Sequence, residues 1–333
     1  MTISPVPIAT KRRVALYFQV KFLFLSVGAS ACLRLKALSN VDDSTPNVIS
    51  KDSMERLRLE ASESIRSRYR VKKIIGRGGY GKVYEGIRIS DGKKVAIKRI
   101  RKTPQDQYLQ IPGYLKPLIT EVALLLMMKE EPVSPHSIQL YEWFEHPRKF
   151  TLIMEFPDPC ESLLDFINNN PPMSETTARV IMRQAVQAVQ HGVEHGVFHN
   201  DIHPENILLR KHTLELKLID FGCGHLLDRT GYNCTKYRGI NGYIPPELFI
   251  YGKFYCVQTN VWALGVLLYE MMNRCPPFRD RNQVMEADVR FVNPDLSEEC
   301  RDLILQCLTR DLTERPVIED ILQHDWFETV DLK

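Results

Sequence analysis

A glycine-rich loop between two predicted β-strands constrains the fold of this 333-residue chain more than any other local pattern. The loop reads GRGGYGKV at 76–83, and its glycines are Gly76, Gly78 and Gly81. Glycine lets backbone N–H groups approach phosphate oxygens that a Cβ would block. A dinucleotide-binding fold needs a helix after such glycines. The residues from Lys82 to Ile89 alternate as a strand instead, so the sequence excludes that fold.

The periodicity of apolar residues divides the chain into a β-rich part and a helical part. Residues 69–157 predict five short strands, a hairpin turn at Asp91-Gly92 and one helix in LITEVALLLMMKE, with Pro117 near its start. Later segments have helical periodicity: ETTARVIMRQAVQAVQHGVEHG with Ser174 as its N-cap, the apolar NVWALGVLLYEMMN, and VIEDILQHDWF. We therefore predict an α+β fold, with a small antiparallel β lobe (69–157), a larger helical lobe (158–327) and a cleft between them.

Lys98 and Glu121 form a candidate phosphate-binding pair. Lys98 ends the predicted strand VAIK, and Glu121 lies on the helix that follows. A lysine in a strand is more often a solvated edge charge, and a helical glutamate usually lies at the surface. In a phosphoryl-transfer site the lysine would hold the α- and β-phosphates of a nucleotide, and the glutamate would position it. We predict that Lys98 and Glu121 pair only because other motifs supply the rest of such a site.

The segments HNDIHPEN at 199–206 and DFG at 220–222 supply those other parts. Asp201 would accept the proton of a substrate hydroxyl, and Asn206 and Asp220 would hold a magnesium ion. Carboxylates and an amide suit a hard cation that prefers oxygen ligands. Each residue alone also fits a loop-forming role. In this order and at these separations, the set predicts transfer of the last phosphoryl group of ATP.

These motifs resemble those of eukaryotic protein kinases over residues 69–327 and, among them, the Pim serine/threonine kinases. PPE at 245–247 matches the end of the activation segment, and Arg315 matches the arginine expected to pair with Glu247. YRVKKIIGRGGYGKVYEGIRISDGKKVAIK, EFPDPCESLLDFI and LKLIDFGCGHLL are similar to Pim segments. The resemblance implies a two-lobed serine/threonine protein kinase that uses ATP and Mg²⁺.

The resemblance also implies which residues contact the nucleotide. In Pim kinases the segment that connects the lobes carries a proline where other kinases offer a backbone donor to adenine. Pro157 matches that proline, which leaves the carbonyl of Glu155 as the expected adenine contact. Taken alone, Pro157 also fits an ordinary linker. The expected nucleotide-binding residues are Ile75, Gly76, Arg77, Gly78, Gly79, Tyr80, Gly81, Lys82, Val83, Ala96, Lys98, Glu121 and Glu155.

Two residues of the catalytic loop depart from the kinase pattern. Asn200 replaces the arginine that normally pairs with a phosphate on the activation loop, so we predict activity that does not depend on phosphorylation there, for example at Thr235. His203 replaces the lysine that neutralises charge on the transferred phosphoryl group. The ordinary pKa of histidine is about 6.5, although a nearby triphosphate favours the charged form. We predict that His203 is catalytic and that turnover is reduced but improves as the pH falls toward about 6.

Two further departures leave the catalytic rate open. Ile240 replaces the threonine expected after the activation-segment glycine, and its side chain cannot hydrogen-bond to Asp201 or its neighbour. Asn260 replaces the aspartate expected two residues before Trp262. One interpretation is a slow kinase, and the other is a pseudokinase, which binds nucleotide and acts as a scaffold. The intact nucleotide-binding and metal-binding groups are common to both.

The resemblance implies protein substrates with basic residues before the phosphoacceptor. HPEN resembles the serine/threonine pattern more than the tyrosine pattern, and Pim kinases favour basic peptides. Asp165 and Glu205 would receive the arginines of such a peptide. Ser162 replaces an acid that is frequent in that family, which would weaken the preference.

Charge and cysteine content exclude several other classes. The net charge of +3 is too small to indicate nucleic acid as a partner. Residues 1–69 contain 11 Lys/Arg and 6 Asp/Glu, so the basic excess lies in the N-terminal extension. Eight cysteines occur without CxxC pairs. This spacing indicates free thiols in a reducing compartment rather than a disulfide framework or a metal cluster.

The extension and linker, residues 1–68, are predicted to be poorly ordered. Residues 11–31 combine basic residues, an apolar run and small residues, as a signal peptide does. However, Gln19 and Lys21 interrupt the run, and a charge at the membrane centre costs about 2.5–3.5 kcal/mol. We therefore predict a monomeric cytoplasmic or nuclear protein without a membrane partner. The alternative is export or membrane tethering by residues 11–31. A short C-terminal tail spans 328–333.

Overall fold

The computed structural model describes residues 65–78 and 81–328, of which the N-terminal part forms a small antiparallel lobe. Its strands are β1 (Tyr69–Gly78), β2 (Gly81–Arg88), β3 (Lys94–Arg101), β4 (Tyr108–Leu109), β5 (Leu118–Ile119), β6 (Leu140–Glu145) and β7 (Lys149–Glu155). Five strands pair in the antiparallel order β1-β2-β3-β7-β6, and β4 pairs with β5. The predicted five-stranded antiparallel sheet is confirmed, and the short β4-β5 pair was not predicted.

Strand β3 runs through the middle of this sheet and is buried on both faces. Val95 and Ile97 pack with Ile153 in a small cluster on one face. Ala96 belongs to the main core, which continues into the large lobe. Because side chains alternate along a strand, Lys98 faces the same side as Ala96. The sheet therefore directs this lysine toward the large lobe.

The helix of the small lobe, α1 (Thr120–Met127), is shorter than predicted. Leu118 and Ile119 form β5 and pair with β4 instead of opening the helix. Pro117 therefore precedes a strand and does not lie in the first helical turn. The predicted helix start was wrong because a short apolar run satisfies either a strand or a helix.

The connection between β2 and β3 is longer than the two-residue turn predicted at Asp91-Gly92. The N–H of Arg88 donates to the carbonyl of Lys93 at 2.8 Å, and the N–H of Gly92 donates to the carbonyl of Arg88 at 2.9 Å. Gly92 has a φ of 71°, which glycine adopts without a steric penalty. The glycine correctly marked the turn, but the predicted loop length was wrong.

Helices dominate the described part of the large lobe. They are α2 (Leu163–Asn169), α3 (Glu175–Glu194), α4 (Pro246–Tyr251), α5 (Cys256–Asn273), α6 (Arg281–Glu286), α7 (Glu298–Cys307) and α8 (Ile318–Ile321). Ser174 caps α3 as predicted, because its hydroxyl oxygen accepts a hydrogen bond from the N–H of Thr177 at 3.3 Å. Helix α5 is the predicted central helix, and its Trp262 is fully buried. The predicted helix VIEDILQHDWF was wrong in its second half, where Asp325–Phe327 form a 3-10 turn.

Short strand pairs in the large lobe hold the polar motifs. These strands are β8 (Cys160–Ser162), β9 (Val197–Phe198), β10 (Ile207–Arg210), β11 (Leu216–Leu218), β12 (His225–Leu226), β13 (Tyr232–Asn233) and β14 (Lys253–Phe254). They pair as β11-β10-β8, β12-β9 and β13-β14. The loop 199–206 lies between β9 and β10, and 219–224 lies between β11 and β12. Both motif loops are therefore fixed at each end by a strand.

Several predictions concern residues outside the described ranges. They include most of the extension 1–68, the apolar segment 11–31, the loop residues Gly79 and Tyr80, and most of the tail 328–333. Within 65–78 and 81–328, every helix is too short or too polar to span a bilayer. The cysteines in these ranges are all free thiols.

Candidate active site

A buried lysine joins the two lobes at the predicted phosphate site. The ammonium of Lys98 on β3 lies 2.7 Å from Oε1 of Glu121 on α1 and 2.9 Å from Oδ1 of Asp220, which follows β11. Burial alone would lower the pKa of Lys98, but the charges of Glu121 and Asp220 outweigh it and raise the pKa above its ordinary value. The structure thus confirms the predicted Lys98–Glu121 pair. The direct contact with Asp220 was not predicted.

A cavity of about 520 Å³ opens beside this lysine. The predicted nucleotide-binding residues that line it are Ile75, Gly76, Val83, Ala96, Lys98, Glu121 and Glu155, and Asp220 lines it as well. Four others belong to the facing ends of β1 and β2 and are not in the cavity wall: Arg77, Gly78, Gly81 and Lys82. The cavity therefore lies against the predicted phosphate and adenine groups and against Asp220, whereas Asp201, His203 and Asn206 are not among its lining residues.

Gly81 is the loop glycine whose lack of a side chain is required by packing. A Cβ at this position would lie 2.1 Å from the carbonyl oxygen of Arg99 on β3. Such a distance is far inside van der Waals contact, so any other residue would push β2 away from β3. Gly81 thus lets β2 and β3 approach each other closely where β2 begins.

The catalytic loop holds three predicted residues in one hydrogen-bonded group. The amide nitrogen of Asn206 donates to the backbone carbonyl of Asp201 at 2.9 Å and lies 3.0 Å from its carboxylate Oδ2. His203 places Nε2 at 2.9 Å from the same nitrogen and at 3.5 Å from Oδ2 of Asp201. The N–H of Ile219 donates to the carbonyl of Asn206 at 2.9 Å. This bond ties the group to the residue before Asp220.

The geometry of His203 differs from that of a phosphate-neutralising lysine. Its ring is 5% exposed, and its Nε2 faces a donor, the amide nitrogen of Asn206. The ring therefore lies inside the hydrogen-bonded group of Asp201 and Asn206, and His203 is not among the residues that line the cavity.

Asn200 adopts a backbone conformation for which asparagine is well suited. Its φ is 64°, a left-handed region in which asparagine is several-fold enriched among non-glycine residues. Its amide nitrogen donates to the carbonyl of Cys223 at 3.2 Å, just after the DFG motif. The residue that replaces the family arginine therefore links the catalytic loop directly to the activation segment.

Asp201 receives a bond from the activation segment despite the loss of the expected threonine. The side chain of Ile240 cannot donate, but its backbone N–H lies 3.2 Å from Oδ1 of Asp201. The prediction concerned only the side chain of Ile240, and the contact with Asp201 is made by the backbone instead. A backbone donor depends on chain path and not on residue type, so it left no trace in the sequence.

The residues predicted to hold a metal offer suitable oxygen atoms. Oδ1 of Asp220 accepts from Lys98 and from the N–H of Gly222 at 3.2 Å. Burial would raise the pKa of Asp220, but Lys98 keeps it below its ordinary value, so the carboxylate is charged. Among the described residues, no donor contacts Oδ2 of Asp220 or the amide oxygen of Asn206. An anionic oxygen and an amide oxygen are ligands that suit a divalent hard cation.

The mouth of the cavity is acidic. Asp158, Glu161, Asp165 and Glu205 line it beside Pro157 of the lobe connection. Ser162 caps α2, because its hydroxyl oxygen accepts from the N–H of Asp165 at 3.0 Å. Asp165 and Glu205, the residues predicted to receive substrate arginines, therefore lie at the same opening.

A charged residue behind the cavity was missed by the sequence analysis. Lys217 on β11 is 5% exposed, and its ammonium lies 3.0 Å from Oε1 of Glu155. A sequence signal was available, because Lys217 stands between the apolar residues Leu216 and Leu218. A lysine in such a strand requires a partner.

The activation segment ends at the predicted ion pair. Arg315 donates to Oε1 and Oε2 of Glu247 at 2.9 and 2.7 Å, and both side chains are fully buried. The paired geometry confirms the prediction from PPE and Arg315.

Comparison with known proteins agrees with this geometry. A model of the protein kinase domain matches residues 69–327. The serine/threonine-protein kinase pim-2 of Danio rerio is 37% identical over 281 residues, which cover 83% of this chain and 90% of pim-2. The serine/threonine-protein kinase prk-2 of Caenorhabditis elegans is 35% identical over 261 residues, which cover 78% of this chain and 58% of prk-2. An Aurora kinase of Candida glabrata is 30% identical over 310 residues, 91% of this chain and 82% of that kinase.

Proposed function

The chain belongs to the eukaryotic protein kinase superfamily, close to the Pim kinases, and we propose that it transfers the γ-phosphoryl group of ATP to serine and threonine hydroxyls of proteins. The observation that carries this proposal is the ammonium of Lys98 between Glu121 and Asp220, at the wall of a cavity that Glu155 also lines. A cation held in this way binds phosphates in phosphoryl-transfer enzymes.

Each residue of the site then has a distinct role. Lys98 binds the α- and β-phosphates, and the carbonyl of Glu155 contacts adenine. Asp201, oriented by Asn206 and by the backbone of Ile240, accepts the proton of the substrate hydroxyl. Asn206 and Asp220 would hold Mg²⁺, which neutralises charge on the phosphates when bound.

Radiolabel transfer from ATP to a peptide tests this function. The full-length chain is incubated with labelled ATP, Mg²⁺ and a serine peptide with arginines before the phosphoacceptor. An Asp201→Asn variant is the control for contaminating kinases. Transfer that is lost in the variant supports the proposal. Nucleotide binding without transfer favours the alternative, a pseudokinase that works as a scaffold, and absence of both contradicts the proposal.

We also propose that the substrates carry basic residues before the phosphoacceptor. Asp165 and Glu205 support this preference, because both face the cavity mouth. Asp165 already accepts a hydrogen bond from the hydroxyl of Ser162 at 2.7 Å, which leaves it one fewer free acceptor for an arginine. Replacement of the arginines by alanine in the same assay separates a basic preference from general peptide phosphorylation.

The activation segment is ordered by uncharged contacts, which supports activity without phosphorylation. Nε2 of His225 lies 3.0 Å from the carbonyl of Lys236, and the Tyr232 hydroxyl donates to the carbonyl of Leu226 at 2.6 Å. Burial lowers the pKa of His225, so its ring is neutral near pH 7. Tyr232 also stacks on Phe254 with ring centroids 5.1 Å apart. These contacts fix the segment without a phosphate.

Replacing Thr235 with alanine is therefore expected to change kcat by less than about twofold. Thr235 is exposed, and its hydroxyl contacts only Asn233 of the same turn, at 3.1 Å. Steady-state kinetics with the peptide substrate measure the effect, and phosphatase treatment of the unaltered protein is the control. A drop of about tenfold, equivalent to 1.4 kcal/mol, in either experiment would refute phosphorylation independence.

Replacing His203 with lysine is expected to raise kcat, by about threefold to tenfold. A lysine would return a positive charge beside Asp201, where Nε2 of His203 now lies at 3.5 Å, and would stabilise charge on the transferred group. His203→Gln, which keeps a neutral polar group, is the matched control. The explanation for slow turnover fails if the lysine variant folds normally and its kcat is unchanged or lower.

We further propose that residues 69–327 form the catalytic unit, with a small lobe at 69–157 and a large lobe at 158–327. The protein is proposed to act as a monomer in the cytoplasm or nucleus. The match of the kinase domain to 69–327 supports the bounds of the catalytic unit, and the free thiols of the described cysteines support a reducing compartment.

A further inference from the structure

Lys217 and Glu155 form a buried ion pair that has no part in the steps proposed above. Their side chains are 7% and 17% exposed, and Nζ of Lys217 lies 3.0 Å from Oε1 of Glu155. Nζ also lies 3.7 Å from Oε1 of Glu215. Glu215 is 39% exposed and already pairs with Arg210 at 3.1 Å. Glu155 is therefore the main partner of Lys217.

The pair connects the two lobes at the point where the nucleotide is proposed to bind. Glu155 ends β7 and opens the lobe connection, and it lines the cavity. Lys217 lies on β11, three residues before Asp220. The pair thus connects the adenine side of the cavity with β11, the strand that precedes the proposed metal ligand Asp220.

Backbone bonds around the pair make it part of a rigid junction. The N–H of Leu218 donates to the carbonyl of His136 at 2.8 Å, and the N–H of Ile138 donates to the carbonyl of Leu218 at 3.0 Å. The N–H of Glu155 donates to the carbonyl of Gln139 at 2.8 Å. The backbone before β6 therefore holds both β11 and the end of β7, and the ion pair is the direct side-chain link between them.

The side chain of Glu155 is the part of this junction that depends most on Lys217. Its second oxygen, Oε2, is buried without a protein partner among the described residues. Without Lys217 the whole carboxylate would be buried without a counter-ion, and it would have to take up a proton or move toward water. Either change acts on the residue whose own carbonyl is proposed to face adenine.

We propose that Lys217 is a positioning residue, which fixes the adenine-contacting residue Glu155 through this ion pair and thereby sets nucleotide affinity. The inference rests on the proposed function, because it assumes that ATP binds in this cavity. The groups proposed for the transfer step are held in place by other contacts. Loss of the pair is therefore expected to weaken ATP binding and to leave the rate of the transfer step nearly unchanged.

Nucleotide binding by paired variants tests this inference. Lys217→Met keeps the length of the side chain, Glu155→Gln keeps its shape and its backbone carbonyl, and the double variant removes both charges. Calorimetry with ADP and Mg²⁺ gives Kd for the full-length proteins, and peptide kinetics give KM for ATP and kcat. Lys102→Met is the control, because Lys102 forms its ion pair with Glu145 at the surface of the small lobe.

Each single variant is expected to raise Kd for ADP and KM for ATP by about tenfold, within the range of one lost charged hydrogen bond. We expect kcat to change less than about twofold. The double variant should lose less than the product of the two single losses, because the same pair is removed twice. Lys217→Arg should recover part of the affinity. The control should bind like the unaltered protein.

Distinct results overturn the inference or the function on which it rests. Unchanged Kd in a folded Lys217→Met or Glu155→Gln variant overturns the inference alone, and so does a fall in kcat with KM unchanged. If Lys217→Met does not fold, the milder Glu155→Gln decides. If neither variant folds, the pair serves stability only and the inference is rejected. An unaltered protein that binds no nucleotide contradicts the proposed function itself.

Discussion

Replacing Lys98 with methionine is expected to reduce phosphoryl transfer by at least about a hundredfold, the cost of losing one preorganised electrostatic group in an active site. The ammonium contacts Glu121 at 2.7 Å and Asp220 at 2.9 Å, and its side chain is 6% exposed. Methionine fills a similar space but leaves two carboxylates facing each other without a cation. The variant therefore loses both the proposed phosphate contact and the link between α1 and the loop that carries Asp220.

The two carboxylates are expected to respond differently to the loss of this cation. Burial and the charge of Asp220 both raise the pKa of Glu121, and Lys98 is the group that opposes them. With Lys98 present the pKa of Glu121 is about 7, and without Lys98 it is expected to rise further, so that Glu121 is protonated at neutral pH. Asp220 loses the cation that keeps its pKa low. Its hold on a divalent ion then depends more strongly on pH.

Peptide transfer measured from pH 6.5 to 8.5 with several Mg²⁺ concentrations checks this prediction. Lys102→Met, at a partly exposed pair in the same lobe, is the matched control and should retain full activity. Lys98→Arg keeps the charge but not its compact shape, so we expect it to remain far below the unaltered protein. Transfer by Lys98→Met within tenfold of the unaltered protein would contradict the role of Lys98.

The sequence predicted those parts of the site whose chemistry depends on side chains. Lys98, Glu121, Asp201 and Asp220 were recognised because each type of group is needed for phosphoryl transfer, and their order limited the possible folds. The structure brings Lys98, Glu121 and Asp220 together at one cavity. These residues are far apart in the sequence, but each was recognised from the motif in which it stands.

Contacts made by the backbone could not be predicted in this way. The N–H of Ile240 reaches Asp201 although its side chain is apolar. Asn200 adopts a φ of 64° and bonds to Cys223, which gives it a structural role in place of the lost arginine. Departures from a family pattern therefore indicate which side-chain contact is lost, but not what the chain path puts in its place.

The start of α1 illustrates a second limit. The run LI before Thr120 is apolar in either a helix or a strand, and two residues are too few to define a period. Pairing with Tyr108 and Leu109 decides the outcome in favour of a strand. That partner lies in a loop where no strand was predicted. The pairing of β5 with β4 thus determined where α1 begins, which the local preference for helix or strand had left open.

Removal of the buried guanidinium of Arg315 is expected to lower the free energy of unfolding by about 3–5 kcal/mol, the usual cost of breaking a buried ion pair from one side. Arg315 donates to both carboxylate oxygens of Glu247, to the carbonyl of Thr309 at 2.8 Å and to that of Gln258 at 3.0 Å. Its guanidinium also lies 4.9 Å from the ring centre of Trp262 on the central helix. Arg315→Met therefore leaves a carboxylate and two carbonyls without their donor.

Urea unfolding of the full-length chain, followed by tryptophan fluorescence, measures this loss. Arg290→Met is the matched control, because Arg290 pairs with Asp288 at the surface with side chains 88% and 55% exposed, and such pairs contribute about 0–1 kcal/mol. The double variant Arg315→Met/Glu247→Gln should be more stable than Arg315→Met alone, since it no longer buries an unpaired charge. If Arg315→Met is no less stable than Arg290→Met, the pair at the end of the activation segment does not stabilise the large lobe.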